Sequence, residues 1–192
     1  MMAVSERACL TAWRAELLGH AHGTVLEVGA GTGLNVAHYP PAVRELLVSE
    51  PDPHMAVRLK KRLPAHARFV DAGAEKLPLA DASVDVVVST LVLCTVPDAG
   101  AAVAELARVL RPGGALLFLE HVAAKDRPDR LRWQQRLEPV WKHVAGNCHL
   151  TRDTEATLVG GGFVLERVTR ESMRKAPPWV RPTIRGVARR AR

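Results

Sequence analysis

A short apolar segment runs straight into three glycines spaced two apart, TVLEVGAGTGLNVAHYP over residues 24–40, and nothing else in the chain narrows the choice of fold so far. Thr24 to Val28 reads as a strand and the glycines as a turn. Leu34 to Tyr39 then reads as a helix that Pro40 and Pro41 stop. A strand, a glycine turn and a helix in that order open a parallel α/β sheet that receives a nucleotide-type cofactor at its carboxyl edge.

The rest of the chain continues the alternation. Ser5 to His20 carries apolar residues at helical spacing, and ELLVSE reads as a second strand. Pro53 starts a helix that runs through Leu63. ARFVDA and VDVVVST are the third and fourth strands, Ala99 to Leu110 a helix, and ALLFLEHV the fifth strand, followed by a helix from Asp129 to Val144. GFVLERVTR and VRPTIRGVA then follow one another as two strands, because the intervening ESMRKAPPW is too rich in proline for a helix. The expectation is a doubly wound, mostly parallel seven-stranded sheet of order 3-2-1-4-5-7-6 with an antiparallel edge hairpin. It forms one domain, with an N-terminal helix (1–23), a cofactor-binding core (24–122), a lid helix region (123–160) and a closing hairpin with a basic tail (161–192).

Composition excludes several classes. With 192 residues, 47% of them apolar and 24% charged, the chain is globular rather than disordered. Its apolar runs are too short and too interrupted to span a bilayer, and Glu6 and Glu16 break what would be the core of a signal peptide. A cytoplasmic protein is expected. Cys9, Cys94 and Cys148 are far apart and form no CxxC, and His20 with His22 lacks a third ligand nearby, so no disulfide framework and no metal are expected. The net charge of +7 gathers after Arg167, with Arg181, Arg185, Arg189, Arg190 and Arg192 at the end. No aromatic interleaving accompanies those arginines, so a solvated basic end is expected rather than a nucleic-acid partner. Peripheral contact with an anionic membrane through this tail stays open.

The glycines depart from the dinucleotide fingerprint, since its third glycine position holds Leu34. The string EVGAGTG instead resembles the first motif of the class I S-adenosylmethionine-dependent methyltransferases. EPDPHM resembles that family's second motif, AGAEKLPL its third, and RVLRPGG the turn before its fifth strand. This resemblance implies S-adenosylmethionine as cofactor. It implies a site made of Glu27, Gly29, Ala30, Gly31, Gly33 and Asn35, then Glu50, Pro51 and Met55, then Gly73, Ala74 and Glu75. Glu50 ends the second strand, where a carboxylate can accept the ribose hydroxyls. Met55 either packs as core or lies against the adenine. Many members place an aspartate where Gly73 stands here, which leaves Asp71 or a backbone carbonyl to meet the adenine amino group.

In a 3-2-1-4-5 order the ligand crevice lies between strands one and four. Ser89, Thr90 and Leu91 are expected at the methionine end, and Leu93 and Cys94 near the transferring methyl, with Cys94 a small buried hydrophobe rather than a nucleophile. Glu120 and His121 end strand five on the same rim. His121 is the candidate base, as its ordinary range suits taking a proton from a thiol or phenol; one of the two is alternatively a cap or ion-pair partner. STLVLCTVPD, RPGGALLFLEHVAA, WQQRLEPVWKHVAGNCHLTRDT and WVRPTIRGVA together resemble the mammalian membrane-associated alkyl thiol S-methyltransferases and their bacterial relatives. Unlike the mammalian members, the chain is expected to carry no long apolar N-terminal anchor. The resemblance implies S-methylation of a small apolar thiol. Trp133, Leu137, Val140, Trp141 and Val144 share one helical face that suits an apolar lid, with His149, Thr151 and Arg152 as polar contacts. Two other readings stay open: a methyltransferase acting on a quinone precursor or phospholipid head group, and a non-catalytic cofactor- or RNA-binding protein.

Overall fold

A computed structural model describes residues 2–191, and its frame is a seven-stranded sheet. β1 (Gly23–Val28) pairs in parallel with β2 (Val43–Ser49) on one side and with β4 (Val84–Thr90) on the other. β3 (Ala67–Val70) extends the sheet beyond β2, and β5 (Leu110–His121) beyond β4. β7 (Pro182–Arg190) is antiparallel to both β5 and β6 (Phe163–Ser172), which completes the order 3-2-1-4-5-7-6 expected from the sequence.

β1 and β4 are nearly continuous apolar runs because both of their faces are covered. Successive residues of β5 divide between two cores. Leu116 and Phe118 pack with Val103 and Leu106 of α4 (Ala99–Val109) and with Leu158 of α6 (Thr154–Gly160). Leu117 and Leu119 face Leu10, Trp13 and Leu17 of the N-terminal helical run and Leu59 of α3 (Pro53–Lys60). Asp52, Asp98 and Asp153 cap α3, α4 and α6 by accepting backbone N–H bonds. α6 was not anticipated from the sequence. The N-terminal run consists of α1 (Met2–Ser5), a π-helical turn (Glu6–Leu10) and α2 (Thr11–Leu18). None of the described helices is long and apolar enough to cross a membrane.

Two expectations are corrected. The helix over Leu34 to Tyr39 is only a 3-10 turn, Val36–His38, because Asn35 turns inward to bond and Pro40 ends the segment before a second turn can form. Among the described residues the basic end is not a solvated tail; Arg192 lies outside them. β7 lies between two strands, where Arg185 bridges Glu16 and Glu171 at 2.8 Å each and Arg189 meets Glu166 at 3.0 Å. Arg190 and Arg181 donate to the Leu110 and Ala176 carbonyls. The arginines alternate into a strand whose neighbours carry glutamates, so the chain itself neutralises much of this charge.

Candidate active site

The turn after β1 lies against β2 and the loop after β4. Gly29 has φ +54, and a Cβ there would stand 2.7 Å from Val92 Cγ2, so the glycine lets the β4 loop close onto the turn. Gly31 has φ +59, and a Cβ on it would meet only Met55 Sδ at 3.8 Å. That open space beside a half-exposed Met55 is a cradle, and it takes Met55 out of the core. The Glu50 carboxylate closes its floor, accepting from Gly31 N at 2.7 Å and from Asp52 N at 2.9 Å. Each oxygen keeps a further lone pair for a hydroxyl donor.

Beneath the turn runs a buried polar network. Glu27 accepts from Asn35 Nδ2 at 3.0 Å and from the Tyr39 hydroxyl at 2.7 Å, and burial pushes its carboxyl up to about 7. Asn35 also donates to Thr90 Oγ1. Arg14 of α2 donates to Asn35 Oδ1 at 2.7 Å and to Thr90 Oγ1 at 3.0 Å while pairing with Glu6 at 3.0 Å. Glu27, Asn35 and Thr90 therefore hold the loop in shape, with their polar atoms engaged inside the protein. Arg14 was missed in the sequence reading. Its signal is legible: an arginine stands four residues after Leu10 and three before Leu17, on the helix's apolar stripe.

In the loop after β3, Ala74 is buried and Asp71 is exposed. Glu75 Oε1 is buried with no partner. A carboxylate oxygen left unmatched at this place is an acceptor awaiting a donor. Pro51 is exposed at the mouth of the cradle.

Further along the carboxyl edge of the sheet, Glu120 and His121 face opposite sides of β5. Glu120 is fully buried and accepts from Ser89 Oγ at 2.7 Å and from the N–H groups of Val92 and Cys94 at 3.2 Å. Burial pushes its carboxyl up against the pull of those bonds. Glu120 thus shapes the β4 loop, in which Leu91 is held at φ +61 by its N–H bond to the Leu119 carbonyl. His121 is 1% exposed. Its Nδ1 lies 3.7 Å from Cys148 Sγ, and its Nε2 has no partner. Cys94, His121 and Cys148 place their ligand-type atoms within 4.8 Å of one another. The Cys94 thiol and the His121 imidazole hold the Cys148 thiol well below the usual thiol range, while the same contact and burial push Cys94 up.

The residues after α5 (Pro128–Val144) are stitched onto the β4 loop. His149 N donates to the Cys94 carbonyl, Asn147 Nδ2 to that of Thr95 and Arg152 Nη2 to that of Val96. Glu138 binds the side chain of His149 and the backbone N–H of Thr151. The inner face of α5 lies one position away from the expected stripe. Leu137 and Trp141 pack inward with Gln134, whereas Trp133, Val140 and Val144 are exposed. Gln134 decides the rotation: fully buried, it accepts from Ala124 N and donates to the carbonyls of Val122 and Trp179. Trp133 instead lines an outer cavity of about 580 Å³ with Pro178 and Trp179.

Residues 26–118 match the family model described as a methyltransferase domain. The chain is 40% identical over 173 residues to human thiol S-methyltransferase TMT1A, an alignment covering 86% of this chain and 70% of that protein. It is 44% identical over 137 residues to rat thiol S-methyltransferase TMT1B, covering 68% of this chain and 56% of the relative. The chain thus spans little more than half the length of the TMT1B relatives it matches. Among solved structures, a putative methyltransferase from Bacillus halodurans superposes with a TM-score of 0.75 at 17% identity, covering 93% of this chain and 99% of that one. An S-adenosylmethionine-dependent methyltransferase from Thermotoga maritima does so with a TM-score of 0.65 at 20% identity, over 93% and 87%. Both likenesses are of fold.

Proposed function

Because the chain belongs to the methyltransferase family that includes the thiol S-methyltransferase TMT1A, we propose that it transfers a methyl group from S-adenosylmethionine to the sulfur of a small apolar thiol. One observation carries this reading. The Gly31 cradle and the Cys94, His121 and Cys148 cluster lie at the carboxyl ends of adjacent strands, with Val92 packed against Gly29 between them. The cofactor supplies a sulfonium whose methyl carbon is open to in-line attack.

The chain's own residues do the rest. Glu50 accepts the ribose hydroxyls, Met55 covers the adenine, Glu75 Oε1 accepts the adenine amino group, and the bare edge at Gly31 admits the methionine part. Glu27, Asn35, Thr90 and Arg14 keep that edge rigid. Glu120 fixes the 92–94 turn, which, with Trp141 across the crevice, gives the acceptor an apolar, water-poor approach. The sequence offers His121 as the base, but its ring is 1% exposed and its Nδ1 lies 3.7 Å from Cys148 Sγ, so it does not serve as the base.

The test is to incubate the protein with isotopically labelled S-adenosylmethionine and a panel of alkyl thiols, phenols, quinols and phospholipids, and to identify the methylated products by mass spectrometry. Labelled thioethers are expected. Label in quinols or lipid head groups alone would replace the reading. Glu50→Ala should weaken cofactor binding by about 1.5–3 kcal/mol, the loss of charge-assisted hydrogen bonds, and unchanged affinity in calorimetry would remove Glu50 from the site.

A further inference from the structure

Three soft or borderline ligands converge at the acceptor end from three separate segments: Cys94 from the loop after β4, His121 from the end of β5, and Cys148 from the loop after α5. Nothing in the sequence announces them as a set, since their spacing matches no metal-binding motif. In a tetrahedral zinc site, bonds of about 2.3 Å to sulfur and about 2.0 Å to nitrogen put a sulfur and a nitrogen ligand roughly 3.5 Å apart, and two sulfurs roughly 3.8 Å apart. The 3.7 Å between His121 Nδ1 and Cys148 Sγ, inside a cluster no wider than 4.8 Å, is within small side-chain adjustments of that geometry.

The surroundings suit an ion as well. The His121 ring is 1% exposed and makes no hydrogen bond to a protein oxygen at either nitrogen. The neighbouring carboxylate, Glu120, is turned to the other side of β5 and fully used by Ser89 and backbone N–H groups, so it does not compete. The backbone on either side is fastened, with His149 N donating to the Cys94 carbonyl and Asn147 to that of Thr95, which holds Cys148 opposite Cys94. Trp141 and Trp179, perpendicular with centroids 6.2 Å apart, form an apolar wall on the α5 side.

We propose that Cys94, His121 and Cys148 bind a thiophilic divalent metal ion, zinc by preference, and leave the fourth tetrahedral position to the sulfur of the acceptor. Two thiolates and an imidazole are the donor set of a three-ligand catalytic zinc site, and their softness selects zinc over magnesium or calcium. The acceptor clause rests on the thiol-methylation reading above. On binding, the acceptor thiol gives its proton to solvent. Its sulfur then forms the bond to the methyl carbon as the sulfonium's carbon–sulfur bond breaks, the electron pair staying with the departing S-adenosylhomocysteine. The product thioether is a poorer ligand than a thiolate and leaves. Activation of the thiol in this way needs no protein base, which is why a histidine withdrawn from solvent is in keeping with the chemistry.

The experiment uses the full chain, reduced with a phosphine, stripped with a chelator and titrated with cobalt(II) alone. One equivalent should produce the visible bands of tetrahedral cobalt and a near-ultraviolet thiolate-to-cobalt charge-transfer band. Both should be lost in Cys94→Ser, Cys148→Ser and His121→Ala and kept in Cys9→Ser, whose thiol belongs to the N-terminal helical run and bonds the Ser5 carbonyl. Retained S-adenosylmethionine binding by each variant shows that it is folded. No spectrum with free thiols, an unchanged spectrum in Cys148→Ser, or recovery from cells of a Cys94–Cys148 disulfide would each overturn the site. A small alkyl thiol should then shift the cobalt bands. A spectrum indifferent to thiols, or full-rate thiol methylation by the stripped protein, overturns the acceptor role and leaves the thiol-methylation reading standing. Cobalt binding without methylation of any thiol sinks that reading and keeps the metal site.

Discussion

The Gly31 cradle and the cluster of Cys94, His121 and Cys148 lie at the carboxyl ends of adjacent strands and are put together in opposite ways. Most of the cradle comes from a continuous stretch, β1 through the first turn of α3, in which Glu27, Gly29, Gly31, Glu50 and Met55 follow one another along the chain. The proposed acceptor end draws Cys94 and Cys148 from two loops and His121 from the end of a strand, and it exists only because β4 and β5 are neighbours and the chain after α5 is bonded back onto the β4 loop. Local geometry suffices for the proposed cofactor cradle. The proposed acceptor pocket is built from segments that a rigid sheet brings together.

The contrast makes the two ends respond differently to substitution. The largest effect is expected at their junction. Gly29→Val combines an unfavourable φ with a side chain in the space of Val92, so urea denaturation should show a loss of about 3–5 kcal/mol. A loss below about 1 kcal/mol would mean that the two loops are not packed as described. Next comes Gln134→Leu, which leaves the Ala124 N–H and the Val122 and Trp179 carbonyls unmatched. A destabilisation of about 2–4 kcal/mol is expected, with cofactor affinity within twofold of the parent by calorimetry. An equal fall in cofactor affinity would show that the two ends are not separable.

The buried carboxyl of Glu27 yields a pH test of the cradle alone. Its folded value of about 7 lies above the ordinary 4.5, so both states are protonated in acid. As pH rises through this interval the unfolded chain ionises first, and stability falls by up to about 3 kcal/mol before levelling off above pH 7. Glu27→Gln can still accept from Asn35 and donate to the Tyr39 oxygen. It should therefore match the parent near pH 4 and exceed it near pH 8 in denaturant melts. A constant difference across that range would place the carboxyl in water. The smallest effect is expected from Trp133→Ala. The side chain is exposed, lies under Arg136 and lines an open outer cavity, so stability should change by less than about 1 kcal/mol. Acceptor kcat/KM should stay unchanged, and a tenfold loss would return Trp133 to the acceptor pocket.

Where the reading from sequence failed, long-range partners had taken over from local pattern. Trp133 and Trp141 satisfy a helical stripe equally well on paper, but Gln134 has three buried backbone partners from two other segments and turns the helix to reach them. Residues 34–39 look helical, yet Asn35 is drawn down to Glu27, Thr90 and Arg14. The arginine-rich end looks like a solvated tail until β6 and the N-terminal helix supply its glutamates. Arg14 is the exception, since a cation on an apolar stripe was visible and went unread.

By itself the sequence determined the alternation of strands and helices, the order of the sheet and the glycine turn after the first strand. Apolar periodicity, proline and glycine act over a few residues, and the right-handed crossover leaves little freedom in how such units are laid side by side. Only the tertiary structure decided what stands at the acceptor end. Whether Cys94, His121 and Cys148 meet depends on hydrogen bonds between backbones more than fifty residues apart, such as His149 N to the Cys94 carbonyl. Interactions of that kind leave no spacing to read, because the chain between their ends is free to take any length that the surface allows.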